Sequence, residues 1–330
     1  MNINFNNPYR YYFTHLGEVK KKIYSELLSG LTNFDDKIPI PYADINTVSE
    51  IFKFVLLDNP LVHYAPTFTH WSDSNNEICT IEPKYKYSKS ISKRWHNDII
   101  RYLLKFDTVC NKSEYKKELF VHEYCLNNFC YDYSFDEKSH TIMGPILENR
   151  AVCEGIAKFV KLVFDYVGLK SIVVTGDAEN PDNSQMEGHA WNIVEVEGEL
   201  YHLDVTFDMT LTSDRSAHRY DYFNLPDNDI LVDHVIGVST PKCNAVSSNY
   251  FHVNSMYIDS LEKLKGYAGN SIRRGERRIY FKLAQENKSM NLSEKAMKIV
   301  GDEYMAIKNS GYSITMSSRP EQMVFEITFR

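Results

Sequence analysis

No run of about 18 apolar residues occurs in this 330-residue chain, so no transmembrane helix and no membrane partner are expected. The opening residues, MNINFNNPYRYYFTHLGEVKKK, lack the apolar stretch of a signal peptide. The expectation is therefore a cytoplasmic protein, with secretion of a processed form left open. Cysteine is scarce: six residues, at 79, 110, 125, 130, 153 and 243, form no C-x-x-C pair and no zinc-ligand spacing. That is too sparse for a disulfide scaffold, and free thiols in a reducing compartment are expected. Basic charge is not in excess, with 37 Lys+Arg against 44 Asp+Glu, so nucleic acid is not an expected partner. Internal repeats and low-complexity tracts are also absent.

What is present is ordinary globular composition, 43% hydrophobic and 25% charged, in a chain long enough for two or three domains. The charge is unevenly spread. Residues 111–245 hold 11 Lys+Arg against 23 Asp+Glu, a balance of −12, between flanks at +1 and +4. A solvated acidic surface explains this as well as an acidic cleft that attracts basic peptide or amine groups.

Periodicity divides the chain into three parts. Residues 1–110 predict a mainly helical domain, with helices over Leu16–Leu31, over INTVSEIFKFVLLDNP and over SISKRWHNDIIRYLLKF, and a strand pair around Pro83. Residues 111–245 hold a helix, SEYKKELFVHEYCLNNFC, then a loop-rich approach, HTIMGPILENRAVC, and the segments discussed next. From about 246 to 330, RRIYFKLA, LSEKAMKIVGDEYMAIKNSG, YSITMSS and MVFEITFR predict a small α+β domain of strand, helix and closing hairpin.

The central part carries the chemistry. AVCEGIAKFVKLVFDYVGL is apolar at Ile156, Phe159, Val160, Leu162, Val163 and Val167, which predicts a largely buried helix stopped at Gly168. Cys153 opens that helix, where aligned peptide dipoles favour thiolate. KSIVVTG, HAWNIVEV and ELYHLDVTF predict strands, the last two joined at Glu197-Gly198. With that two-residue loop, Val196 faces Glu199, Trp191 lies opposite Asp204, and His189 lies opposite Thr206. His189 and Asp204 then share one face as diagonal neighbours, roughly 7–8 Å apart at the backbone. A one-residue slip would separate them. Taken singly, Cys153 reads as a small buried hydrophobe, His189 as a satisfied polar residue and Asp204 as a turn cap. Taken together they read as nucleophile, base and orienting carboxylate. His202, Asp204 and His189 could also suggest a metal, but two of the three already belong to that triad, so neither metal nor cofactor is expected.

The segments AVCEGIAKFVKLVFDYVGL, EGHAWNIVEVEGE and LYHLDVTFD resemble the core of the transglutaminase-like superfamily, a branch of the papain-like cysteine enzymes, in its bacterial form. YYFTHLGEVKKKIYSELLSGL and LLDNPLVHY resemble, less specifically, the amino-terminal region joined to bacterial cores. RYDYFNLPDNDILVDHV resembles the part of the family that packs near the site. The resemblance implies an α+β fold in which a nucleophile helix packs on an antiparallel sheet over 111–245, flanked by the helical amino-terminal region and the small carboxy-terminal domain. It implies an acyl-transfer enzyme, a protease, amidase or transglutaminase, acting on peptide or carboxamide bonds through a thioester. Cys153 would attack the acyl carbon, His189 would carry the proton, and Asp204 would orient His189. The backbone N–H of Cys153 would be one oxyanion donor. A papain-type Gln is absent, since Leu147 occupies its place, and His140 is the candidate for the second donor, with Trp191 close by. Gly155 would let strand or substrate approach the helix start, or only ease packing.

The expected partner is a protein or peptide substrate, with basic character suggested by the acidity of this region. The acidic stretch 177–187 is expected to form a lid. The chain is too short for the β-sandwich and barrels of calcium-dependent animal transglutaminases. A non-catalytic peptide-binding module on the same fold is the alternative, and the presence of Cys, His and Asp together favours the enzyme.

Overall fold

The computed structural model describes residues 8–180, 184–212, 217–309, 313–319 and 321–329. At its centre lies a five-stranded antiparallel sheet in the order His234–Ile236, Ser171–Glu179, Met186–Val196, Glu199–Leu203, Phe223–Leu225. The hairpin register is the one the turn chemistry predicts. Glu197 and Gly198 both take positive φ, at 54° and 82°, and Val196 pairs with Glu199.

The helix Cys153–Val167 packs on this sheet and ends at Gly168, whose φ is 81°. It is buried on nearly all sides because two cores meet there. Ile156, Phe159, Val160 and Val163 belong to one core, while Ala157 joins a second built from the amino-terminal region. Asn192 points away from His189 and ties sheet to helix, its Nδ2 donating to Ala157 O (3.0 Å) and Ile172 O (3.4 Å).

The amino-terminal region contains helices Glu18–Asn33, Ile45–Asp58 and Lys89–Leu103. The Ile45 helix starts where Asp44 caps it, accepting from the N–H groups of Asn46 and Thr47. The expected strand pair around Pro83 is instead one strand, Ile78–Lys84, which runs through Pro83 and lies between Ile38–Ala43 and Thr67–Ser72. This region is seated on the central sheet: Tyr12, Ile51 and Phe54 share a core with Val173, Trp191 and Ile193, and Tyr12 Oη donates to Val173 O at 2.8 Å.

The carboxy-terminal part is a four-stranded sheet, Tyr257–Ile258, Arg278–Leu283, Val324–Phe329, Ile314–Arg319, packed with helices Leu261–Arg273 and Leu292–Lys308. It is joined to the centre by buried polar contacts. The Arg219 guanidinium is bidentate to Asp221 (2.8 and 2.6 Å) and donates to Ser317 Oγ (2.8 Å), while Tyr280 Oη donates to Asp221 Oδ1 (2.6 Å).

Two expectations about the central strands are corrected. The strand expected over ELYHLDVTF stops at Leu203, and a short helix, Val205–Leu211, follows. The two ends of the acidic 177–187 stretch are paired strand rather than lid: Asp177, Ala178 and Glu179 face Gly188, Glu187 and Met186. The centre of that stretch, 181–183, lies outside the described residues. No described helix is long and apolar enough to cross a membrane.

Candidate active site

Cys153 is the first residue of a 15-residue helix, with Val152 extended before it (φ −85°, ψ 174°), so its sulfur sits at the positive end of the helix dipole. The approach to it is held by Asp132, which accepts from the hydroxyls of Ser134 and Ser139. The Ser139 carbonyl in turn accepts the N–H of Val152 at 3.1 Å. A Cβ at Gly155 would collide with that same carbonyl. Gly155 therefore makes room for the 139–141 loop.

His189 lies on the central strand Met186–Val196, and its Nε2 is 2.7 Å from Asp204 Oδ2. Asp204 reaches it from a helix N-cap rather than from a facing strand. Its Oδ1 accepts the N–H groups of Thr206 (2.9 Å) and Phe207 (3.1 Å), which fixes the plane of the carboxylate and turns Oδ2 towards the imidazole. Aspartate favours this cap geometry, and that is why the strand ends at Leu203. Cys153 lies near enough to act on the His189 ring electrostatically.

Electrostatics favour an ion pair here. Burial disfavours the charged imidazole, but Asp204 and Cys153 outweigh it and push His189 up to about 10. Burial would likewise raise the Asp204 carboxyl, yet His189 and then His234 outweigh it and hold it well below the usual carboxylate range.

The other candidates separate. Trp191 is fully buried and stacks on His189 with ring centroids 6.0 Å apart, but its Nε1 donates to His202 Nδ1 at 3.0 Å. With that N–H engaged, Trp191 supports the ring and is not an oxyanion donor. His140 is exposed, and its Nδ1 lies 3.2 Å from Glu154 Oε2, on the residue after Cys153. Burial raises the Glu154 carboxyl, but Lys158 and His140 outweigh it and bring it down to about 2.

Sequence reasoning missed His234. Its Nε2 is 3.1 Å from Asp204 Oδ2 and its Nδ1 is 2.6 Å from Asp233 Oδ1. The signal was its place in RYDYFNLPDNDILVDHV, the segment whose resemblance sets it near the site, but nothing in that segment singles out His234.

Among the described residues, two groups of side chains bring metal-type donor atoms within 4.8 Å of one another, His189–Asp204–His234 and His202–Asp227–Cys243. In both, hydrogen bonds already engage imidazole nitrogens and a carboxylate oxygen of the group. Asp204 Oδ2 takes both imidazoles, and His202 holds Trp191 on one nitrogen and Asp227 Oδ1 (3.0 Å) on the other.

Beside His189 opens a cavity of about 300 Å³, walled by Tyr131, Tyr133, Phe135, Phe207 and Leu211, with Glu187 among its lining residues. Tyr133 and Phe135 are largely exposed. A larger cavity, about 460 Å³, contains none of these residues and is lined by the amino-terminal region together with Leu162 and Asp165 of the Cys153 helix.

No family model matches this chain, and no curated protein matches it. Among solved structures it is similar to one described as a "TGase", at 18% identity and a TM-score of 0.28 over 43% of this chain and 44% of that one. It is also similar to "a Putative Cysteine Protease from Cytophaga hutchinsonii", at 14% identity and a TM-score of 0.28 over 42% of this chain and 61% of that one. Each likeness covers less than half of this chain, which spans less than two thirds of either structure.

Proposed function

We propose that this chain is a cysteine-dependent acyl-transfer enzyme built on a transglutaminase-like, papain-like core, acting on peptide or carboxamide bonds. The observation that carries the reading is the His189 imidazole, held at 2.7 Å by the buried Asp204 carboxylate, with the helix-start Cys153 near enough to act on the same ring. In this reading the Cys153 sulfur, as thiolate, forms a bond to the acyl carbon. The tetrahedral oxyanion is met by the backbone N–H of Cys153, a first-turn donor with no intrahelical acceptor. His140 is the candidate for the second donor. On collapse the C–N bond breaks, and His189 delivers its proton to the departing amine, leaving a thioester on Cys153. Water or a second amine then attacks the thioester, His189 takes the proton of the attacker, and the thiolate is restored. Asp204 keeps Nε2 of the ring as donor throughout, so that Nδ1 is the nitrogen that exchanges a proton with sulfur and substrate.

The aromatic wall beside His189 and the nearby Glu187 support a substrate with apolar and basic groups next to the reacting bond. The test is to incubate the protein with casein-derived, glutamine-containing and cell-wall peptides and to read released amine, ammonia or new amide bonds by mass spectrometry. Product from the native chain and none from folded Cys153→Ala supports the reading. Equal product from both sinks it.

A further inference from the structure

We infer that His234 is a positioning residue for the Asp204–His189 pair, and that the carboxy-terminal domain holds it in place through Arg319 and Gln322. The inference rests on the proposed reading of Cys153, His189 and Asp204 as the reacting group.

The contacts form one unbroken path. Arg319 Nη2, at the end of the strand Ile314–Arg319, donates to Tyr222 Oη at 2.8 Å. Tyr222 Oη donates to Asp233 Oδ2 at 2.6 Å, and Gln322 Nε2 donates to the same oxygen at 3.2 Å. Asp233 Oδ1 takes His234 Nδ1 at 2.6 Å, and His234 Nε2 reaches Asp204 Oδ2, the oxygen that also holds His189. Tyr222, His234 and Asp204 are fully or almost fully buried.

Donor accounting assigns the role. Ionised carboxylates only accept, and each ring nitrogen of His234 faces a carboxylate oxygen, so both nitrogens donate. Asp204 therefore receives four donors: two helix amides on Oδ1 and two imidazoles on Oδ2. When His189 passes its Nδ1 proton to a leaving amine, its ring becomes neutral and the attraction it offers Asp204 falls. The second imidazole keeps Oδ2 bonded and the carboxylate ionised and still through that step.

Sheet geometry brings the strand of His234 close. Gly176 pairs with His189 on one side and Ile236 on the other, and a Cβ there would collide with the carbonyl oxygen of Val235. Arg319 also lies over the Phe207 ring, 5.8 Å from its centroid, and Phe207 packs against His189. The carboxy-terminal domain thus reaches the site by a polar and an apolar route.

Alkylation of Cys153 by iodoacetamide, read by mass spectrometry on the full chain, reports on the imidazole without requiring the substrate. Tyr222→Phe removes one oxygen and keeps the ring. It should slow alkylation about tenfold, the scale of losing one hydrogen bond to a charged group. His234→Ala should slow it further, and His234→Gln, whose amide can still donate to Asp204, should recover part of the rate. On a peptide that the native chain turns over, the same variants should lower kcat and leave KM unchanged. Each variant is first checked for a native circular dichroism spectrum. Native-like rates in folded Tyr222→Phe and His234→Ala, with His189→Ala slowed, overturn this inference alone. A native rate in His189→Ala overturns the reading of the site and this inference with it.

Discussion

Asp204 Oδ2 lies 2.7 Å from His189 Nε2, although Asp204 belongs to no strand: it is the residue on which one strand has ended and a helix begins. The same carboxylate is a helix cap through one oxygen and an imidazole partner through the other. The two roles are mechanically linked, because rotating the group to improve one bond would break the other.

Asp204→Asn separates those roles. The amide oxygen can still accept from Thr206 and Phe207, so the short helix is kept, but the amide nitrogen would present a donor to two imidazoles. Turnover should fall by roughly 10³–10⁴-fold, the scale seen when an orienting carboxylate is made neutral. Asp204→Ala should in addition lower stability by about 3–5 kcal/mol, because two buried imidazoles lose their carboxylate. Peptide turnover and urea unfolding check both values.

Cys153 should be the fastest-labelled of the six thiols. Burial pushes the thiols of Cys125 and Cys243 up, Cys243 to about 12 and Cys125 beyond the range of any ordinary buffer. Iodoacetamide footprinting near neutral pH should therefore mark Cys153 well before either, and His189→Ala should remove its advantage. Equal labelling across the three would rule out an activated thiol.

The pH dependence of stability follows from two opposite shifts. His189 is raised, to about 10, so the stability it contributes is complete below the unfolded value near 6.5 and is lost as pH rises towards 10. Asp204 is depressed, so its contribution is complete above about 3.9 and is lost as pH falls below that. Melting temperature should thus decline between pH 7 and 10 in the native chain and decline less in His189→Gln. An unchanged slope in that variant would show that His189 gains nothing from Asp204.

Gly155→Ala tests the approach loop. The new methyl would strike the Ser139 carbonyl, so either the loop moves or the helix start does. Overpacking of this kind costs about 1–3 kcal/mol. Since Ser139 also holds Val152, turnover should fall with it. A variant as stable and as active as the native chain would mean that the loop is free to shift.

Charge preference can be measured directly. With a balance of −12 over 111–245 and Glu187 lining the cavity, Lys-flanked peptides should show a higher kcat/KM than Glu-flanked ones at low salt. The difference should shrink as salt shortens the screening length to about 8–10 Å at physiological strength. Equal values at low salt would leave the acidity without a part in selection.

Local chemistry made much of this molecule legible before folding. The apolar spacing of 153–167 and the stop at Gly168 specify a buried helix opened by a thiol. Glu197-Gly198 and strict alternation specify a hairpin in one register, which puts His189 and Trp191 on one face and Asn192 on the other. Both signals act over a few residues, through backbone dihedral preferences and side-chain period. The exact end of a strand is a weaker signal: LDVTF alternates well enough to continue, and the ability of Asp204 to cap a helix prevailed. What tertiary structure alone decided is the surroundings of that aspartate. His234 is 30 residues away, and Arg319 meets Tyr222 across 97. No period or turn motif links such positions. They are brought together because burying the carboxy-terminal sheet against the centre leaves polar side chains without water, and each must then find its partner in another part of the chain.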